Sequence, residues 1–394
     1  MHLQGLLHKL FNDAANFIDK RIHKTLLLTV ETLPKSAHLS LSSIGRSLLS
    51  KTTVKHNIKR LDRLFGNDSL QAKSYIYYHV ITKYITNGNL RPKIIMDWSG
   101  LTRCGAYHML SANISVGGRA LPILTKAYKE CEYTKQKTHK DFLMCLRSIL
   151  PEECCPIVIT DAGFRNPWFN LILKFGWDFV GRVRNVTQYK AEKQGVWEPV
   201  KSLYKIATNT PRYLFHAMLA KSNPLCCYFF IYKGKMKNRT KRNLRGVKVN
   251  CSVSKKHAKS AKEPWLIVTS INPKEMSPKK IINIYRSRMQ IEEYFRDIKN
   301  TKNGFGLRHC RSFSKNRLDV ALLIAAMATL LLWLLGLIAK HKNLHFSFQS
   351  NSNRKRNVLS TFMIGWQAFR RGPPAFSKKE VNIAINELQT CAAI

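Results

Sequence analysis

The run VALLIAAMATLLLWLLGLIA, residues 320–339, limits the possible folds more than any other stretch: twenty residues carry no charge. A helix of roughly 20 apolar residues is long enough to cross a bilayer. A helix that is apolar all round is also what the centre of a large α/β core requires. Burial is the favoured reading. No second run of this kind occurs, and a single late span would leave most of the chain's positive charge in one soluble body.

That charge is large. The formal net charge is +43, from 66 Lys and Arg against 23 Asp and Glu. A body so charged repels itself unless a polyanion neutralises it. Nucleic acid is the first partner this implies and an anionic membrane surface the second. The basic residues are spread along the whole chain, which predicts a surface laid over many phosphates. At 394 residues with 45% hydrophobic side chains, a sizeable core is expected and wholesale disorder is not. The ten cysteines include no C-x-x-C pair, and Cys154-Cys155 and Cys226-Cys227 have no zinc-site partners at the usual spacing. Reduced thiols in a cytoplasmic protein fit this scatter better than a disulfide framework. Cys131 and His139 alone do not make a metal site, because two more ligands cannot be named. The opening MHLQGLLHKLFNDAANF lacks the apolar core of a signal peptide.

Residues 1–88 read as helical. ANFIDKRIHKTLLLTVETL and SLSSIGRSLLS place apolar residues three to four apart. KTTVKHNIKRLDRLFGN sets Lys55, Lys59, Arg60 and Arg63 along a helix whose apolar side is Ile58, Leu61 and Leu64. A basic helix behind short helices suits DNA binding. RPKIIMDWSG then reads as a short buried strand whose last residue is Asp97. YHMLSANISV and LPILTKAY flank Gly117-Gly118-Arg119-Ala120 as a hairpin. KTHKDFLMCLRSIL is a helix ended by Pro151. PIVITDAGF repeats the earlier pattern, an apolar strand followed by Asp161. PWFNLILKFG opens with proline and closes with glycine, as a short helix does. WDFVGRVR is a further strand. Between about 186 and 262 the pattern loosens into an insertion. Within it, KGKMKNRTKRNLRGVK (233–248) has eight basic residues and no acidic one, and reads as a mobile loop joining two strands. PWLIVTSI is again a strand. Ser277-Pro278 predicts a capped helix start. NVLSTFMIGWQAFRR reads as the last helix, stopped by Gly372-Pro373-Pro374. The order of elements predicts an α/β plan with an antiparallel edge on a partly parallel sheet.

Two strands ending in aspartate point to a site, because a carboxylate at the end of a buried strand is costly unless it is paired or binds metal. A third acid comes from YRSRMQIEEYFRDIK, 285–299. At about 100° per residue, Tyr285, Arg288, Glu292 and Lys299 fall within roughly a 60° arc beside the apolar stripe of Ile284, Ile291, Phe295 and Ile298. On this count Glu293 and Asp297 lie on the far side, and Glu293 faces water. Three carboxylates with basic neighbours suit phosphoryl transfer, in which two divalent ions activate the attacking oxygen and stabilise the leaving one. Hard oxygen ligands favour Mg²⁺ or Mn²⁺. Arg288 and Lys299 would hold phosphates.

On these residues the chain resembles the DDE transposases of bacterial insertion sequences, in particular the cut-and-paste family with the Y-R-E-K signature. KHNIKRLDRLFGN, the DWS at 97–99, TDAGF at 160–164 and the Tyr285, Arg288, Glu292, Lys299 set occur in the family's order across nearly the whole chain. The resemblance implies a ribonuclease H-like catalytic core with a mixed sheet and a β-rich insertion. A helical N-terminal DNA-binding domain (1–88), a catalytic domain (89–340) and a helical C-terminal region (341–394) would divide the chain. Asp97, Asp161 and Glu292 would be the catalytic, metal-binding triad, with two Mg²⁺ ions that Mn²⁺ can replace. Tyr285, Arg288 and Lys299 would grip phosphates at the element's end. Trp265 would stack on a flipped base, where stacking of about 1–3 kcal/mol offsets the few kcal/mol that flipping costs. One of Arg182 or Arg184 would also reach phosphate. The implied activity is cleavage at terminal inverted repeats, a hairpin intermediate and joining of the 3′-OH to target DNA. The implied partners are double-stranded DNA and a second copy in a synaptic homodimer, in a bacterial, nucleoid-associated setting. The run 320–339 then becomes the core helix after the signature helix, with no membrane involved. A catalytically inactive DNA-binding relative or repressor of transposition would need the charge but not the three carboxylates, all of which are present.

Overall fold

In the computed structural model the uncharged run is the middle of one helix, Lys315–His341, and every residue from Val320 to Ala339 is buried. The helix has the length and hydropathy of a membrane span, yet its most apolar window lies wholly inside the protein. The reading as a core helix therefore holds. The structure describes residues 2–36, 38–184, 187–191, 195–234, 247, 251–252, 255, 262–312, 314–350, 352 and 356–393. They form two compact units, one of residues 1–156 with 288–394, the other of residues 157–287.

The first unit opens with α1 (Leu3–Phe11), α2 (Lys20–Thr32), α3 (Leu41–Ser47), α4 (Val54–Phe65), α5 (Asp68–Ala72) and α6 (Ser74–Thr86). Side-chain caps start several of them. Asp19 accepts from the amides of Arg21 and Ile22 at the head of α2, and Thr53 accepts from the His56 amide at the head of α4. Leu61 and Leu64 of α4 are buried and Ile58 is half-buried, as the apolar spacing predicts. Next come β1 (Lys93–Gly100), β2 (Tyr107–Ser115) and β3 (Ala120–Lys129), an antiparallel sheet in the order β3-β2-β1, then α7 (Gln136–Ile149). The expected hairpin is present. Its turn uses Gly117 and Gly118 at φ +73° and +91°, a region that side chains rarely enter.

The second unit contains β4 (Ile157–Thr160), α8 (Asn166–Lys174), β5 (Asp178–Val183), β6 (Gln188–Ala191), β7 (Glu198–Pro199), β8 (Arg212–Leu219), β9 (Leu225–Tyr232), β10 (Trp265–Thr269) and α9 (Pro278–Ser287). Its strands run in the order β4-β5-β10-β9-β8-β6-β7. Strands β4 and β5 are parallel and the other pairs antiparallel, so this sheet is mixed. The loosened stretch after 186 supplies β6 to β9. Most of the basic segment 233–248 lies outside the described residues. Helix α9 starts at Pro278, as Ser277-Pro278 predicts.

The chain then returns to the first unit with α10 (Met289–Lys299), α11 (Lys315–His341), α12 (Thr361–Arg370) and α13 (Lys378–Ala393). Helix α11 is the centre of this unit, packed on β3 and on α2, α4, α5, α6, α12 and α13. Its approach to α12 is very close. A Cβ at Gly365 would fall 1.8 Å from the Leu332 carbonyl oxygen, and one at Gly336 would fall 2.0 Å from that of Thr361.

Two expectations need correction. Helix α12 is not the last helix. Beyond Gly372-Pro373-Pro374, α13 buries Val381, Ala384, Ile385 and Leu388, which recur at helical spacing. Asp97 is not the last residue of its strand either. Strand β1 continues to Gly100 because β2 keeps pairing with it through Trp98↔Leu110, Ser99↔Met109 and Gly100↔His108.

Candidate active site

Strand β1 buries Ile94, Ile95 and Met96 and then presents Asp97, whose side chain is 16% exposed. Asp97 Oδ1 accepts the Trp98 amide at 2.8 Å. Its Oδ2 accepts Nη1 of Arg288 at 3.3 Å. Arg288 stands between α9 and α10 with helical backbone angles, φ −50° and ψ −35°. From its other terminal nitrogen, Nη2, it donates to Glu292 Oε1 at 2.9 Å. Arginine at i and glutamate at i+4 are neighbours on a helix, so the pairing needs no special turn. One guanidinium therefore joins the strand carboxylate to the helix carboxylate. Arg288 is 11% exposed and Glu292 49%, so the open edge of this group is at Glu292.

About two turns beyond Glu292, Lys299 donates from Nζ to Ser99 Oγ and lies 5.4 Å over the Phe295 ring. Burial, and then the nearby Arg308, push its ammonium down to about 8; Asp97 opposes the shift. The sequence count thus brings Arg288, Glu292 and Lys299 to one edge, and the strand adds Asp97.

The opposite face of α10 departs from expectation. Glu293 and Asp297 do not face water. Asp297 is buried and Glu293 half-buried, while Glu292 is the most exposed of the three. Arg119 in the β2–β3 turn donates from Nε to Asp297 Oδ2 at 2.9 Å and pairs with Glu293 at 3.5 Å. Helix α10 packs on β1, β2 and β3, so its acidic far side meets the hairpin. Burial first, with Arg119 opposing, pushes the Asp297 carboxyl up to about 6.

On the other face of β1, Trp98 donates from Nε1 to His139 Nε2 at 3.3 Å and sits among Tyr128 and Tyr133. Burial pushes His139 down to about 4, which keeps it neutral. Its Nε2 accepts from Trp98, and Cys131 is exposed. Among the described residues, no group of three or more His, Cys, Asp or Glu side chains stands ready for a metal ion.

The second unit carries the remaining candidates. Asp161 follows the last residue of β4, as expected, and its Oδ1 accepts the Gly163 amide at 2.8 Å. A Cβ at position 163 would sit 3.0 Å from that oxygen, a tight contact. Trp265 opens β10 half-exposed, its ring 5.2 Å from Tyr285 and 5.9 Å from Tyr232, both edge-on. Tyr285 is buried. Arg184 is held by Glu263 through Nε at 2.9 Å and also through Nη2. Arg182 donates to the Pro264 carbonyl at 3.2 Å, and its buried Nε has no partner among the described residues.

On α4, Lys55, Lys59 and Arg63 are exposed. Arg60 is turned inward and donates from Nε and Nη2 to Thr25 Oγ1 at 3.1 and 3.0 Å. Sequence reasoning missed the partners that come from distant segments: Arg119, the Ser99 hydroxyl as the seat of Lys299, and His139. Only Ser99 had a signal, its place two residues after Asp97.

The class these features fit is a mixed α/β enzyme with acidic groups set among cations, suited to chemistry at phosphate. Residues 89–331 match the family described as transposase DDE domain. The match spans more than half of the chain, and the chain belongs to that family. It is a DDE transposase, and its substrate is DNA. No curated protein matches the chain.

Proposed function

We propose that this chain is a cut-and-paste transposase of a bacterial insertion sequence, with Tyr285, Arg288, Glu292 and Lys299 as its Y-R-E-K signature. The observation that carries this reading is the convergence of Asp97 and Glu292 on one cationic group. Two carboxylates that share the Arg288 guanidinium present hard oxygens toward a single positive centre, as a site for Mg²⁺ or Mn²⁺ demands. Asp97, Glu292 and Asp161 would hold two such ions. When bound, they would activate the attacking oxygen and stabilise the leaving one.

The chain's own side chains do the rest. Lys299, fixed by Ser99, offers a point charge to a backbone phosphate. Trp265 presents a half-exposed ring on which a flipped base can stack. One of Arg182 or Arg184 would also reach phosphate. Water first hydrolyses the phosphodiester at the element's end and releases a 3′-OH. That hydroxyl attacks the opposite strand and closes a hairpin, which water reopens. The freed 3′-OH then displaces a 3′-oxygen of target DNA. Residues 1–88 bind the terminal inverted repeats through Lys55, Lys59 and Arg63; residues 89–340 catalyse; residues 341–394 support dimerisation or further DNA contact. A homodimer pairs the two ends in the bacterial cytoplasm, at the nucleoid.

The test is incubation of purified protein with duplex DNA carrying the element's ends, with and without Mg²⁺. Cleavage should require Mg²⁺, be lost in Glu292→Gln and persist in Glu293→Gln. Wild-type cleavage by Glu292→Gln overturns the site. Binding without cleavage by the wild type identifies the non-catalytic relative instead.

A further inference from the structure

We infer that Arg288 is an internal counter-cation of the catalytic carboxylates, and that it couples metal loading to DNA binding. The inference rests on the reading of Asp97 and Glu292 as metal ligands, and goes beyond it. Arg288 spends one terminal nitrogen on each carboxylate, at 3.3 Å to Asp97 and 2.9 Å to Glu292. Its side chain is 11% exposed, and a guanidinium so covered is stable only beside anions. In DNA-free protein those anions are the carboxylates. A divalent cation on the same oxygens would face a like charge at close range. The two cations therefore compete.

Backbone phosphate resolves the competition. An arginine fork fits phosphate as well as it fits carboxylate. Glu292 is 49% exposed, so the bridge opens to solvent on the side from which phosphate arrives. A phosphate that draws Arg288 away leaves both carboxylates to metal. Lys299 stays on Ser99 as the fixed cation near Asp97. The order built into the site is DNA first and metal second, which restrains cleavage before substrate is in place.

The experiment measures Mn²⁺ binding to the full chain by the electron-paramagnetic-resonance signal of free Mn²⁺, so no turnover is involved. Without DNA, Arg288→Ala should bind Mn²⁺ about tenfold more tightly than wild type. Adding a short duplex should tighten Mn²⁺ binding to wild type far more than to Arg288→Ala. Arg288→Gln, neutral but still polar, repeats the test if the alanine variant does not fold. Equal or weaker DNA-free binding by a folded Arg288 variant overturns the inference. Asp97→Asn and Glu292→Gln separate the two readings. If both bind Mn²⁺ as wild type does, the metal-ligand reading itself fails. If both lose binding while the Arg288 variants gain none, only the counter-cation role fails.

Discussion

Arg119 and Asp297, 178 positions apart in sequence, form a hydrogen-bonded ion pair of 2.9 Å that ties the β2–β3 turn to α10. The helix that carries Glu292 and Lys299 is thereby fixed from its back. The Asp297 carboxyl is raised from 3.8 to about 6. Between those values the folded protein holds a proton that the unfolded chain releases, so this group's contribution to stability declines as pH rises from 3.8 to 6. Above that window the ionised carboxylate depends on Arg119. Arg119→Ala should cost about 2 kcal/mol at pH 8 and less at pH 5, where Asp297 can protonate. Thermal melts at the two pH values check this; an equal loss at both would contradict it.

Lys299 gives a pH dependence of function. Its ammonium titrates at about 8 in the free protein, down from 10.5. If Lys299 holds phosphate as proposed, it does so only when protonated, so its contribution to DNA affinity should fade as pH rises through 8. Lys299→Arg keeps its charge throughout and should flatten the upper part of the binding profile. The sign for stability runs the other way. The folded state disfavours the charged lysine, so the cost it imposes is full below pH 8 and is relieved between about 8 and 10.5. Fluorescence anisotropy with a labelled duplex, from pH 6 to 9.5, reads the functional half.

The basic residues of α4 should separate into two kinds. Lys55→Ala, Lys59→Ala and Arg63→Ala should each weaken binding across sequences and lower the slope of log affinity against log salt by about 1. Arg60→Ala should leave that slope nearly unchanged and lower the melting temperature, because Arg60 is spent on Thr25. A slope change for Arg60 as large as that for Lys59 would show that it turns outward on DNA.

Gly365→Ala should be among the most damaging single-methyl changes in the chain, at about 3 kcal/mol. The added carbon meets the Leu332 carbonyl, which belongs to a buried helix that cannot yield. Gly88→Ala, with nothing within 4 Å of its Cβ, controls for backbone strain at φ +75° alone. Denaturant unfolding of the two variants should show the larger loss at Gly365.

How far the sequence could be read depended on where a residue's partners lie. The run 320–339 was legible because a helix apolar on all sides has few places to go, and the rest of the chain held enough core to cover it. The hairpin was legible because its turn glycines lie next to its strands. The pairing of Arg288 with Glu292 was within reach of helical phase because Arg288 caps the helix and lies one turn before Glu292. Asp297 and Glu293 were misread for the opposite reason. Phase alone gives one buried stripe per helix, whereas α10 packs on three strands and takes a counter-charge from Arg119. The end of β1 was misplaced because its last four residues are held by β2 and not by their own hydrophobicity. Helix α13 was overlooked because it follows a Gly-Pro-Pro stop and buries only a narrow side.

The central position of α11 sets a timetable for synthesis. Helices α1 to α6 and strands β1 to β3 leave the ribosome long before Lys315. At about 5–20 residues per second the interval from Lys129 is roughly 10–40 s. Through that time the nascent first unit exposes the faces that α11 will cover, while the whole of residues 157–287 is being made. Asp97 and Glu292 come together only after the whole of residues 157–287 has been made. A chain broken off before Lys315 keeps the basic helix α4 and all three proposed catalytic acids, but lacks the helix around which the unit holding two of those acids closes.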